Sequence, residues 1–223
     1  MVGWLARHLC PRRNVSTYRK IFTQKSSSDL EVLLSQLTGG NLDNIEAFAT
    51  KFNSLQFNPI TTASCTKIGY LPIAEVDNVY NLCMFYLPPG SLLPYHNHPD
   101  QHVLLRVVSG SLEINSFDIE VEDGSKVEPG KIYKIRDDSR ISQILTVDDS
   151  TQIVRPKKSN IHEIKAHGSD GAMFVDLVVP PYNWDRSIVY FEETGTGTVR
   201  GLRERDVALD MEQVYPEQFF RLK

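Results

Sequence analysis

From Tyr80 onward the chain is built of short β-type runs broken by turn residues, and that texture constrains its fold more than any other feature. Tyr80–Leu87 is apolar and aromatic and closes on Pro88-Pro89-Gly90. His102–Val108 runs into Ser109-Gly110, Ser111–Glu122 alternates apolar with polar before Asp123-Gly124, and Lys131–Ile135 follows Pro129-Gly130. Further runs fall at Ile141–Val147, Thr151–Val154, Ile161–Lys165, Ala172–Val179 and Ser187–Glu192. Many short strands with frequent turns and few helices predict a mainly β sandwich or barrel. Leu112 and Ile114 keep one parity while Phe117, Ile119 and Val121 keep the other. That switch predicts a turn or bulge near Asn115-Ser116.

Ahead of the β-rich part, Leu30, Leu33, Leu34 and Leu37, then Ile45, Phe48, Ala49 and Phe52, recur at helical spacing, interrupted by Gly39-Gly40. The pattern predicts an antiparallel helix pair, the first capped by Ser28 or Asp29 and the second by Asp43 or Asn44. Residues 194–223 read as a loop, a strand-like Arg205–Leu209 and a turn at Pro216–Phe220. No apolar run approaches the ~20 residues of a membrane helix.

The charge is unevenly spread. Six of the 24 basic residues lie in residues 1–28, which hold no acid, so the remainder sets 18 basic against 28 acidic residues. An acidic body argues against nucleic acid as its partner. Residues 1–28 read as a flexible basic arm, separate from a domain over residues 29–223. Their composition suits a mitochondrial transit peptide and an unaddressed basic tail equally. The expected compartment is cytoplasmic, with a mitochondrial address as the alternative. Cys10, Cys65 and Cys83 are too few and too irregularly spaced for a disulfide framework.

His96 and His98 stand two apart in Pro94-Tyr95-His96-Asn97-His98-Pro99. On an extended chain both point to one face, so their imidazoles can converge on one metal ion. A third ligand has four further candidates, His8, His102, His162 and His167. His162 shares its parity with Ile164 and Ala166, which turns it toward a barrel interior, while His167 falls with Glu163 and Lys165 and faces water. His102 is read as supporting the site rather than binding metal. Asp176 sits in the apolar run Met173–Val179, where a carboxylate needs a partner: a substrate amine, a ligand histidine or the backbone. Cys83 is read as a small core hydrophobe.

Gly90, His96, His98 and Gly110 resemble the first motif of the cupin barrel, with His102 where a ligating glutamate is usual. The longer stretch from Pro88 to Gly110 is similar to the cysteamine (2-aminoethanethiol) dioxygenase family, which includes the plant cysteine oxidases. So are Asn160–Ile164, Ala172–Tyr182 and Ser187–Phe191, in the family's order. The resemblance implies a double-stranded β-helix (jelly-roll) barrel with N-terminal helices. It implies a non-haem Fe(II) held by His96, His98 and His162. The activity it implies is oxidation by O₂ of cysteamine to hypotaurine, or of a protein's N-terminal cysteine to its sulfinic acid, with an oxygen-sensing role in the second case. Asp176 and Tyr182 match positions lining the family's pocket, and Tyr190 matches a tyrosine near the iron. Ile188 stands where some animal members carry a cysteine that crosslinks to that tyrosine. The chain is expected to act as a monomer. The alternatives are a metal-binding module without turnover, or a cupin of other chemistry.

Overall fold

The structure is a computed structural model and describes residues 19–37, 42, 44–60, 66–122, 125–183 and 185–216. Among the described residues, helices α1 (Gln24–Ser35) and α2 (Ile45–Asn53) precede thirteen strands. The strands are β1 (Ile68–Val76), β2 (Tyr80–Leu87), β3 (Leu92–His96), β4 (His102–Ser109), β5 (Ser111–Phe117), β6 (Ile132–Lys134) and β7 (Ile141–Thr146). They continue with β8 (Gln152–Val154), β9 (Ile161–His167), β10 (Ala172–Val179), β11 (Tyr190–Gly195), β12 (Thr198–Leu202) and β13 (Met211–Gln213). One sheet has the order β13-β1-β2-β10-β4-β8 and the other β6-β12-β11-β3-β9-β5-β7. From β2 to β11 the chain passes back and forth between the two sheets, the winding of a double-stranded β-helix barrel.

Alternation along the strands divides the buried residues into layers. On β10, Ala172 and Phe174 join Cys83, Phe85, Leu87, Leu105, Val107, Leu112, Ile114 and Ile164 in the barrel interior. The opposite parity of β10, Met173, Val175, Leu177 and Val179, packs against Leu30, Leu33, Leu34, Phe48 and Phe52 of the helices. The helices therefore cover the outer face of the first sheet. Arg106 ties them down: its Nη1 donates to the carbonyls of Phe52 and Leu55, and its guanidinium lies 5.1 Å from the Phe57 ring centroid. A cation on the last carbonyls of a helix satisfies groups with no partner inside it.

Several expectations change against this frame. The first helix starts before Ser28: Thr23 caps it, its Oγ1 accepting from the Ser26 N–H at 3.4 Å. Asn44 caps the second, its Oδ1 accepting from the Ala47 N–H at 3.0 Å; Asp43 and Gly39-Gly40 lie outside the described residues. Within residues 1–28, Ile21 and Phe22 are wholly buried and Phe22 bridges to Phe57. Residues 1–18 lie outside the described residues.

The predicted irregularity near Asn115-Ser116 is absent, and β5 pairs with β9 without a break from Ser111 to Phe117. The parity switch arises because the strand is buried on both faces. Leu112 and Ile114 enter the interior, while Phe117 joins Ile119, Ile135, Ile161 and Val199 in a second cluster on the outer side. β1 escaped the sequence reading because Pro72 interrupts it; the pairing with β2 is irregular between Pro72 and Ala74. The strand-like Arg205–Leu209 is a short 3-10 turn at Glu204–Asp206, and the strand follows at Met211–Gln213. Gly110, at φ 72°, turns the chain between β4 and β5 where a Cβ would meet the Gly171 carbonyl at 2.1 Å.

Phe174 is fully buried and stacks on Phe85 at 5.1 Å between centroids. Phe174→Ala should lower stability by about 3–5 kcal/mol. An unfolding midpoint in urea that barely moves would contradict the interior placement.

Candidate metal centre

His96 is the last residue of β3, and His162 is the second residue of β9, directly opposite it in the antiparallel register. Opposed residues of antiparallel strands point to the same face, here the interior. His98 follows β3 by two residues and turns back onto the pair. The three ligand nitrogens lie within 4.8 Å of one another and all three residues are buried. His98 Nε2 stands 3.3 Å from His162 Nε2.

The ring orientations have visible causes. His96 Nδ1–H donates to the Pro94 carbonyl at 2.8 Å, which leaves Nε2 bare. His98 Nδ1–H donates to Tyr182 Oη at 2.5 Å, and Tyr182 Oη–H donates onward to the Asn97 carbonyl at 3.0 Å. This relay fixes the His98 tautomer with Nε2 free, the usual arrangement behind a metal-ligating imidazole. Burial holds the histidines neutral. It lowers the His96 pKa to about 4, against the opposing effect of the Pro94 carbonyl, and those of His98 and His162 well below the usual value, where neighbouring imidazoles add to the effect.

Two nitrogen lone pairs facing each other at this distance repel unless a cation lies between them. Nitrogens bound to one first-row ion at about 2.1 Å, at angles of about 90–110°, stand about 3.0–3.4 Å apart. The His98–His162 pair falls in that range, and three imidazole nitrogens within 4.8 Å of one another suit a transition metal.

Backbone clamps hold the loop that carries His98. Asn160 accepts from the His98 N–H at 3.0 Å and donates to the His98 carbonyl at 2.8 Å and the Arg155 carbonyl at 3.1 Å. Asp118 in turn receives the N–H groups of Ser159 and Asn160 on its carboxylate. Asn97 exchanges bonds with Val189, accepting its N–H on Oδ1 at 2.8 Å. Gln101, wholly buried, donates from Nε2 to the Pro180 carbonyl at 2.8 Å and so ties this loop to the one carrying Tyr182. The sequence reading passed over these supports. Asn97 and Asn160 stood beside the histidines in the sequence, yet nothing there distinguished a clamp from a surface amide.

The other predicted residues fall as follows. Tyr190 pairs with His96 across β11 and β3, with ring centroids 6.0 Å apart, and burial raises its pKa. Ile188 lies two residues before it. Asp176 shares the interior parity of β10, and its Oδ1 is buried with no hydrogen-bond partner. Desolvation raises its pKa to about 8, so it is a neutral acid at pH 7. No backbone bond satisfies that oxygen; it is the Asp176 carbonyl that accepts, from Cys83 Sγ at 3.8 Å. Asp176, Tyr190 and Cys83 all raise the Tyr182 pKa, after burial as the leading cause. His102 differs from its expected supporting role. Its parity is that of Leu104 and Arg106, on the helix side, where Arg155 and Glu46 act on it electrostatically. His167 is exposed, as its parity required.

The fold and its buried histidines define a β-helix barrel whose interior could hold a metal ion. Residues 33–219 match the model of the PCO_ADO family, and the chain belongs to that family. It is 31% identical over 131 residues to a probable 2-aminoethanethiol dioxygenase of Dictyostelium discoideum, covering 57% of each chain. It is 25% identical over 185 residues to plant cysteine oxidase 2 of Arabidopsis thaliana, covering 78% of this chain and 63% of that one. To the 2-aminoethanethiol dioxygenase of Homo sapiens it is 28% identical over 173 residues, covering 71% and 61%. The chain thus spans about three fifths of the length of these relatives. Among solved structures, a double-stranded β-helix protein of Klebsiella pneumoniae aligns over 51% of this chain and 76% of its own at a TM-score of 0.34 and 18% identity. Among the described residues no helix is long and apolar enough to cross a membrane.

Two measurements test this geometry. Tyr182→Phe removes the acceptor behind His98 and should weaken metal binding about 10–100-fold in a chelator competition; unchanged affinity would contradict the relay. Asp176 has a folded pKa of about 8 against an ordinary 3.8, so the folded state keeps a proton that the unfolded chain releases. Its contribution to stability is present at pH 3.8 and below and is lost as pH rises toward 8. Metal-free Asp176→Asn should therefore gain on the wild type across that window, and a gap independent of pH would contradict the buried, unpartnered acid.

Proposed function

We propose that the protein is a non-haem Fe(II)-dependent thiol dioxygenase acting on cysteamine, on the N-terminal cysteine of proteins, or on both. The observation that carries this reading is the convergence of His96, His98 and His162 in a chain of the PCO_ADO family. Its relatives are named for cysteamine and cysteine oxidation. Iron is assigned by that family context together with an all-imidazole donor set, which suits several first-row metals.

Bound there, the metal would supply a centre at which a thiol loses its proton and O₂ is activated. The chain's own residues do the rest. Three neutral imidazoles hold the ion without adding negative charge, so an anionic thiolate is not repelled by its ligands. Tyr182 keeps His98 in its tautomer, and the Pro94 carbonyl does the same for His96. Tyr190 stands beside His96 on the neighbouring strand and walls one side of the site.

Asp176 is the residue through which an amine would be read. An ammonium brought beside it supplies the partner that Oδ1 lacks and draws the carboxyl back to its ionised form. Cysteamine and an N-terminal cysteine both carry such an amine near the thiol. In the overall change R–SH + O₂ → R–SO₂H, both oxygen atoms end on sulfur, at the sulfinic stage of the oxidation ladder. On a protein substrate, that product would make the modified terminus a record of O₂ supply.

The test is direct. Fe(II)-loaded protein in air should add 32 Da to cysteamine or to an N-terminal-Cys peptide, read by mass spectrometry. His162→Ala should lose both iron and turnover. Full turnover with iron retained in that variant would remove His162 from the ligand set, and no mass change with either thiol would overturn the reading.

A further inference from the structure

The second sheet carries one lateral row of residues that the site uses only in part. Antiparallel pairing sets Leu202 opposite Tyr190, Tyr190 opposite His96, and His96 opposite His162. It continues by setting His162 opposite Ser116, and Ser116 opposite Ile141. Directly opposed residues share a face, so the row projects into the interior along its whole length. Leu145, on the same parity of β7 as Ile141, is buried in the interior cluster and confirms which face this is.

The two sides of the row differ. On the Tyr190 side it is closed, because Tyr190 is 3% exposed and β11 is flanked by β12 and then β6. On the Ile141 side it is open: β7 is the edge strand of the sheet, and Ile141 is 42% exposed although it belongs to the interior face. Between the metal centre and that edge stands Ser116, small and buried.

We infer that Ser116 and Ile141 form the lane by which a peptide continues from a thiol held at the histidines, with Ile141 contacting the side chain of the peptide's third residue. The inference rests on the thiol-oxidation reading and names the substrate class within it. Two strand spacings, about 9.6 Å, separate the His162 and Ile141 positions. An extended chain advances about 6.6 Å from residue one to residue three, and the cysteine side chain supplies the remaining reach. Ser116 lies under the intervening peptide unit, where a larger side chain would fill the lane. Cysteamine has no atoms beyond its amine and reaches neither residue. An exposed isoleucine at the lane's mouth selects an apolar third residue.

Anaerobic Fe(II) protein, wild type and Ile141→Glu, should be titrated calorimetrically with the peptides Cys-Gly-Ile-Gly-Gly and Cys-Gly-Lys-Gly-Gly. The same probes and cysteamine should be followed in air for the 32 Da gain. Wild type should bind the isoleucine peptide about tenfold more tightly, the scale of one buried apolar contact, and Ile141→Glu should lose or reverse that preference. The same ratio of dissociation constants in both proteins would overturn the inference. So would a wild type that oxidises cysteamine but binds neither peptide, and that outcome leaves thiol oxidation standing. Oxidation of none of the three probes would be the separate failure of the dioxygenase reading.

Discussion

Three nitrogen lone pairs are brought together in a place from which water has been removed, and much of the structure exists to hold them there. Imidazoles this close, bare and neutral, are unfavourable neighbours until a cation joins them. The barrel imposes the arrangement through pairing: His96 and His162 are opposed across β3 and β9, and neither can turn away without breaking the register of a seven-stranded sheet. His98 lies beyond the strand and lacks that restraint. Asn160 clamps its backbone and Tyr182 its ring. Hydrogen bonds to groups already fixed in the fold replace a strand's pairing here.

Other interior polar groups around the site serve as support. Asn97, Asn160 and Asp118 spend their hydrogen-bonding capacity on backbone groups of the loops around the site. Such satisfied buried polar groups fix geometry. Asp176 does not follow that pattern. One of its carboxyl oxygens is buried without a partner, and the group is held as a neutral acid. A buried polar group left unsatisfied carries an appreciable penalty, and this carboxyl lies near Tyr182, where the proposed dioxygenase would receive its substrate's amine.

Much of this was legible in the sequence, for physical reasons that differ from residue to residue. Parity alone turned His162 inward and His167 outward, because a half-buried strand reports its faces through alternation. Tyr80–Leu87 and Ala172–Val179 were read to their observed ends, since turn residues close the first and a continuous apolar run marks the second. Where a strand is buried on both faces the same rule misleads, as at Ser116 and Phe117, whose neighbours lie in two different clusters. His102 looked like part of the site because it is close to His98 in sequence, yet its parity on β4 sends it to the helices. The hydrogen-bonded clamps and the row from Tyr190 to Ile141 were out of reach. They depend on register between strands far apart in the chain, which no local pattern encodes.

X-ray absorption at the iron edge of the Fe(II)-loaded, anaerobic protein tests the central claim most directly. The account predicts three imidazoles at about 2.1 Å, with a sulfur neighbour appearing when an aminothiol is added, and no bound iron in His162→Ala. Fewer than three imidazoles in the wild type, or a metal environment unchanged by the loss of His162, would contradict it.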